Sequence, residues 1–198
     1  MEYNNQQMVA FEVLRDTHNI LNKLDIPFWL DGGTLLGFVR DGIFCEGDED
    51  DVDVSTWCDY KDKIPMLINE FVNMGYTIHG NWQDGKGQSH ELSMRHKNNK
   101  HKVDIFFKER KGEYSWHCLY TGLNPCTWKR NKIRYFNNLR EFSIMTNKED
   151  MSFNIPVDYD GYLTELYGDW ETPVNRNKWN CYNKGNAFYD PNDEDLKW

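Results

Sequence analysis

Two carboxylates one residue apart, Asp51 and Asp53, alternate with Val52 and Val54 and follow an apolar segment that ends in a double glycine, Phe28-Trp29-Leu30-Asp31-Gly32-Gly33-Thr34. In an extended strand, residues two apart project from one face, so both aspartates share a side while the valines point into a core. Carboxylates that close repel and shift one another's proton affinity unless a cation lies between them. Hard oxygen ligands of this kind select Mg²⁺ or Mn²⁺. Gly32 and Gly33 lack a Cβ, permit positive φ and let backbone N–H groups approach a polyphosphate. Thr34 adds a hydroxyl, and Leu35-Leu36 begins an apolar run whose helical N-terminus also favours an anion. A phosphate held beside divalent metal is the chemistry of phosphoryl or nucleotidyl transfer. The glycine spacing fits neither G-x-G-x-x-G nor G-x-x-x-x-G-K-[ST], which excludes a dinucleotide fingerprint and a P-loop.

A third carboxylate, Asp104, interrupts the apolar, β-favouring stretch His101-Lys-Val-Asp-Ile-Phe-Phe107. A charge in a buried strand is costly unless paired or metal-bound, so Asp104 needs a partner. That partner is either a shared metal ion or Lys102, two residues away on the same strand face. Plainer readings stand beside the others as well. A double glycine by itself is a turn, and Glu46 to Asp53 by itself is a solvated acidic loop. A calcium EF-hand loop is excluded, because counting from Asp48 places Val52 at a ligand position and Asp53 where the sharp turn demands glycine.

Three separated blocks occur in order: Phe28-Trp-Leu-Asp-Gly-Gly-Thr-Leu-Leu-Gly-Phe-Val-Arg40, Asp50-Asp-Val-Asp-Val54, and Ile155-Pro-Val-Asp-Tyr-Asp-Gly-Tyr-Leu-Thr-Glu-Leu-Tyr-Gly-Asp-Trp170. Together they resemble the LicD/fukutin family of phosphotransferases, from the first helix to about Pro173. The resemblance implies an α+β fold, a nucleotidyltransferase-like mixed β-sheet flanked by helices. It also implies metal-dependent transfer of a phospho-alcohol, such as phosphocholine or ribitol phosphate, from a CDP-linked donor to a carbohydrate hydroxyl. Two alternatives stay open: transfer of NMP with release of pyrophosphate, or a catalytically silent nucleotide- or glycan-binding module.

Carried onto this chain, the resemblance gives Asp51, Asp53 and Asp104 as catalytic and metal-holding residues. Gly32, Gly33, Thr34 and Arg40 stand on the donor phosphate side, and Tyr167 and Trp170 on the acceptor side. Arg95 is a further phosphate-ligand candidate, and Asp31 is a candidate general base beside the trio. Where the family often carries Ile-Pro-Trp before its acidic run, this chain reads Cys45-Glu46-Gly47-Asp48, adding two negative charges close to the metal site. Some relatives of fukutin are implied to hold a structural zinc. His117, Cys118 and Cys126 lack the paired spacing such a site uses, so these cysteines read as small core hydrophobes.

The elements that must position these groups follow from periodicity. Phe11, Leu14, Leu21 and Leu24 recur at helical spacing over Gln7 to Leu24 and stop before Pro27. Strands are expected at Phe28 to Leu30 and Val52 to Ser55, a helix at Pro65 to Met74, a strand at Tyr76 to His79 and a turn at Gly80 to Gly87. Ser89 to Arg95 and Lys102 to Phe107 read as a hairpin joined by His96 to Lys100. Tyr114 to Phe136 shows no clear period. Asp158 to Tyr167 reads as a short helix that stops at Gly168, and Asp190 to Trp198 as a mobile tail.

At 198 residues the chain suits one domain, read as a catalytic core over 1–110 with a helical or irregular part over 111–198 packed on it. A net charge of −9 and the lack of a basic run argue against nucleic acid. Eight Trp, eleven Tyr and eleven Phe are many for this length, and they suit sugar or base stacking as well as core filling. An odd cysteine count without C-x-x-C argues against a disulfide framework. No stretch approaches the ~20 apolar residues of a membrane span, and no signal peptide is recognisable, so the chain is expected to be cytoplasmic.

Overall fold

Asn4 opens the first helix, α1 (Asn5–Lys23), because its side chain accepts the Gln7 N–H at 2.9 Å while the Gln7 side chain returns to the Asn4 N–H at 3.1 Å. This reciprocal pair satisfies two donors that helix geometry leaves orphaned. The computed structural model describes residues 3–83, 87–119, 127–145 and 150–174. The expected tail at 190–198 lies outside them, as does Cys126.

After α1 come β1 (Trp29–Leu30), α2 (Gly32–Arg40), β2 (Asp51–Trp57), α3 (Ile64–Asn73), β3 (Thr77–Gln83), β4 (Ser89–Arg95) and β5 (Lys102–Lys111). Then follow β6 (Tyr114–Leu119), β7 (Thr127–Lys132), α4 (Arg134–Asn137), β8 (Leu139–Met145), β9 (Asp150–Pro156) and α5 (Tyr159–Tyr167). Among the described residues, seven strands form one mixed sheet in the order β1-β2-β5-β4-β3, with β6 on the far half of β5 and β7 on β6. Only the β2–β5 pair in it is parallel, and β8 and β9 form a separate antiparallel hairpin. No helix of the described residues is long and apolar enough to cross a membrane.

The alternation read from the sequence sorts the two faces of the sheet. Val52, Val54, Val103, Ile105, Leu92 and Met94 are fully buried on one face. Buried beside them are Leu14 and Leu21 of α1, and Leu67 and Phe71 of α3. Each such side chain contributes roughly 1.5–3 kcal/mol of apolar burial. The opposite face carries the carboxylates. Further along β2 and β5 it is roofed by aromatics, with Phe136 of α4 5.2 Å from Trp29 and 5.0 Å from Tyr162 of α5, ring centre to ring centre.

The hairpin expected around His96 to Lys100 is present, with Arg95 opposite Lys102 and Glu91 opposite Phe106. The turn expected at Gly80 to Gly87 is corrected, since β3 runs on through Gly80 to Gln83. Gly80 has the Trp82 indole packed against it, so close that a Cβ would overlap the ring, and the register shifts there. A glycine inside a strand here marks a close approach, not the end of the strand.

Candidate active site

Parallel pairing of β2 with β5 sets Asp53 directly opposite Asp104 and Asp51 opposite Lys102, all on the same face. Ligand oxygens of Asp51, Asp53 and Asp104 lie within 4.8 Å of one another. The three carboxylates expected to converge from distant parts of the chain do so. Asp104 is 7% exposed, and its Oδ1 is a buried acceptor with no hydrogen-bond donor among the described residues. A lone carboxylate oxygen left without a partner among two other carboxylates is a donor set that suits a hard divalent cation.

Burial, then the neighbouring carboxylates, push Asp53 well above the ordinary aspartate range. Asp51 is likewise raised by burial and by Asp104, against the pull of Lys102. The Lys102 alternative for Asp104 is also realised: its Nζ lies 2.6 Å from Asp51 Oδ1 and donates to Asp104 Oδ2. Burial would lower the lysine, but Asp104 and Asp51 outweigh it and keep the ammonium charged.

The double glycine lies at the start of α2, with Gly32 at φ +52°. The Gly33 N–H donates to Asp53 Oδ2 at 2.8 Å, and the Asp53 N–H donates to Thr34 Oγ1 at 2.8 Å. A Cβ on Gly32 would come within 2.8 Å of the Asp53 carboxyl carbon. The glycines thus let the helix N-terminus close onto the Asp53 carboxylate, a role the phosphate reading had not foreseen. Thr34 is 1% exposed and turned to the β2 backbone.

Asp31 caps α2 by accepting the Gly32 N–H at 2.8 Å. It also accepts from Ser55 Oγ and Tyr162 Oη, and pairs with Lys108 at 2.9 Å. Burial alone would push Asp31 up, but Lys108, Ser55 and Tyr162 hold it below the ordinary range. A buried carboxylate so fully engaged is a structural anion, which corrects its reading as a general base. Lys108 itself is 0% exposed, with its ammonium 4.9 Å from the Phe136 ring centre.

Arg40 sits in the last turn of α2, where its guanidinium grips Asp41 at 2.6 Å and reaches the Trp170 carbonyl at 3.4 Å and Cys45 Sγ at 3.5 Å. These contacts tie the end of α2 to the segment after α5. Arg95 pairs with His79 at 2.7 Å and the Asn99 carbonyl. Trp170 donates its indole N–H to Asp160 at 3.1 Å and lies 6.2 Å from the Tyr159 ring, an anchor for the end of α5. Tyr167 differs: burial first, then the charges of Asp53, Asp31 and Asp48, push its hydroxyl well above the usual tyrosine range.

Asp48, expected from the sequence to add charge close to the site, stands against Gly33 and adds its charge to Asp51 and Asp53. Two contributors went unforeseen. Glu91, 7% exposed on β4, is raised by burial and by Asp104. Lys108 was legible, since Lys102, Asp104, Phe106 and Lys108 alternate onto one face. Of the zinc candidates, His117 is buried and depressed by that burial and by Lys108, whereas the Cys118 side chain and Cys126 fall outside the described residues.

Residues 25–158 match the family model described as LicD/FKTN/FKRP, nucleotidyltransferase domain. Over 188 residues the chain is 30% identical to a Homo sapiens protein named Ribitol-5-phosphate transferase FKTN, covering 90% of this chain and 38% of that one. The Mus musculus protein of the same name is 31% identical over 175 residues, covering 86% and 35%. The chain thus spans less than two-fifths of the length of these relatives. The solution structure of the antibiotic-resistance factor ANT(2'')-Ia is 13% identical, with a TM-score of 0.39 over 55% of this chain and 52% of that one. That likeness is too low to bear on fold or function.

Proposed function

This chain belongs to the LicD/FKTN/FKRP family, and from that footing we propose that it transfers a phospho-alcohol, ribitol phosphate or a close analogue, from a CDP-linked donor to a carbohydrate hydroxyl. The observation that carries the reading is the convergence of Asp51, Asp53 and Asp104 beside the N-terminus of α2, with the Asp104 Oδ1 unsatisfied. Asp51, Asp53 and Asp104 would hold one or two Mg²⁺ or Mn²⁺ ions. Bound there, such an ion supplies Lewis-acid stabilisation of the charge on the leaving nucleotide.

The residues themselves do the positioning. Gly33 fixes one Asp53 oxygen, Thr34 fixes the Asp53 backbone, and Asp31 fixes the first turn of α2. Gly32, Gly33, Thr34 and Arg40 stand on the donor side, the remaining helix dipole favouring its phosphates. Tyr167, whose hydroxyl feels the Asp53 charge, is assigned to the acceptor side. Trp170 supports it by closing the end of α5.

The test is product analysis with CDP-ribitol, CDP-glycerol, CDP-choline and CTP, each with and without Mg²⁺ or Mn²⁺, in the presence of a glycan acceptor. Metal-dependent CMP release with one CDP-alcohol supports the proposal, and Asp53→Asn should reduce it at least ~10²-fold with the fold retained. Pyrophosphate release from CTP would favour the nucleotidyl alternative, which the nucleotidyltransferase description of the matched domain keeps in view. Binding without turnover of any donor would favour the silent module.

A further inference from the structure

We infer that Lys102 is a built-in counter-cation of the metal-free site, which competes with the divalent ion for Asp51 and Asp104 and must swing out when that ion enters. The inference rests on the reading of the three carboxylates as metal ligands. The Lys102 ammonium lies 2.6 Å from Asp51 Oδ1 and donates to Asp104 Oδ2, so it engages an oxygen on each of two ligands. Its position is dictated by register, since it stands two residues before Asp104 on one strand and directly opposite Asp51 on the next.

Three carboxylates forced together without any cation would repel strongly in a part-buried setting, and one ammonium offsets much of that. A divalent ion drawn to the open Asp104 Oδ1 would share the Asp51 and Asp104 carboxylates with that ammonium, so the two cations compete for the same negative charge. Two cations in that space would also repel. The Lys102 side chain is 23% exposed and so has a way out, and its flexible stem allows the ammonium to reach water. Arg95 lies opposite it across the β4–β5 pair. An expelled Lys102 would therefore present two adjacent cations on the rim, an arrangement suited to a diphosphate.

The experiment is equilibrium binding of Mn²⁺ alone, followed by the electron paramagnetic resonance of the free ion, to wild type, Lys102→Met and Lys102→Arg. The Met variant should bind Mn²⁺ at least about tenfold more tightly than wild type, and the Arg variant, which keeps the charge, should not. Equal, measurable affinities for wild type and Lys102→Met would overturn this inference alone. No Mn²⁺ binding by any of the three would remove the metal reading and this inference with it. Should the Met variant fail to fold, wild type still decides the matter through reductive methylation mapped by mass spectrometry. Lys102 labelling should be slow in the metal-free protein and rise at saturating Mn²⁺, and unchanged labelling would overturn the inference.

Discussion

At the scale of single residues, glycine and aspartate are matched pieces: Gly32 takes a left-handed φ of +52° so that nothing stands between the start of α2 and the Asp53 carboxylate. Two changes separate strain from crowding. Gly42 also has a positive φ of +72°, yet no atom lies within 4 Å of where its Cβ would be. Alanine at either position should cost about 1–2 kcal/mol in chemical denaturation, from the left-handed backbone. Only Gly32→Ala should also weaken Mn²⁺ binding, because its Cβ displaces Asp53; equal Mn²⁺ affinities in the two variants would refute that pairing. The residue types that announced this chemistry, Asp51, Asp53, Asp104 and the glycines, were visible in sequence because strand alternation fixes which side chains share a face. The engagement of Asp31 was not, since its partners Lys108 and Tyr162 arrive from elements far along the chain.

At the scale of elements, the site is a junction between α2, β2 and β5, held by an anion and a cation buried beneath the aromatic roof of α4 and α5. Asp31 is 3% and Lys108 0% exposed. Removing one member leaves the other charged in a poorly solvated place, so Lys108→Met should lower the unfolding free energy by about 3–5 kcal/mol, measured in urea. Lys23→Ala, which breaks a pair whose lysine is 63% exposed, should scarcely register in the same assay. The strands bearing the carboxylates were legible from period-two hydropathy. β6 and β7 were not, because their buried positions include Ser115, His117, Lys129 and Asn131, polar residues that erase the alternation. β9 did carry a readable signal in Met151, Phe153 and Ile155, all buried. Its partner β8 buries only Ile144 among its seven residues, so the hairpin lacked a second matching strand.

At the scale of the whole molecule, concentrating Asp48, Asp51, Asp53 and Asp104 in one place makes the metal-free fold sensitive to pH. Asp51 is raised from 3.8 to about 7, by burial first and then by Asp104. A carboxylate with a raised folded value contributes stability that is present below its unfolded value and lost as pH rises through the folded one. The metal-free protein should therefore lose this contribution between about pH 4 and pH 7, and Asp51→Asn should flatten that part of the melting-temperature profile. Saturating Mn²⁺ should raise the melting temperature most at the upper end of the window, where the ligands are deprotonated. A wild-type profile identical to that of Asp51→Asn would rule out this source of pH dependence. The most direct examination of the central claim is anomalous diffraction from a crystal equilibrated with Mn²⁺. A manganese peak coordinated by oxygens of Asp51, Asp53 and Asp104, with Lys102 turned away, is the expected result. A map at saturating Mn²⁺ with no peak there, and Lys102 still bridging Asp51 and Asp104, would contradict it.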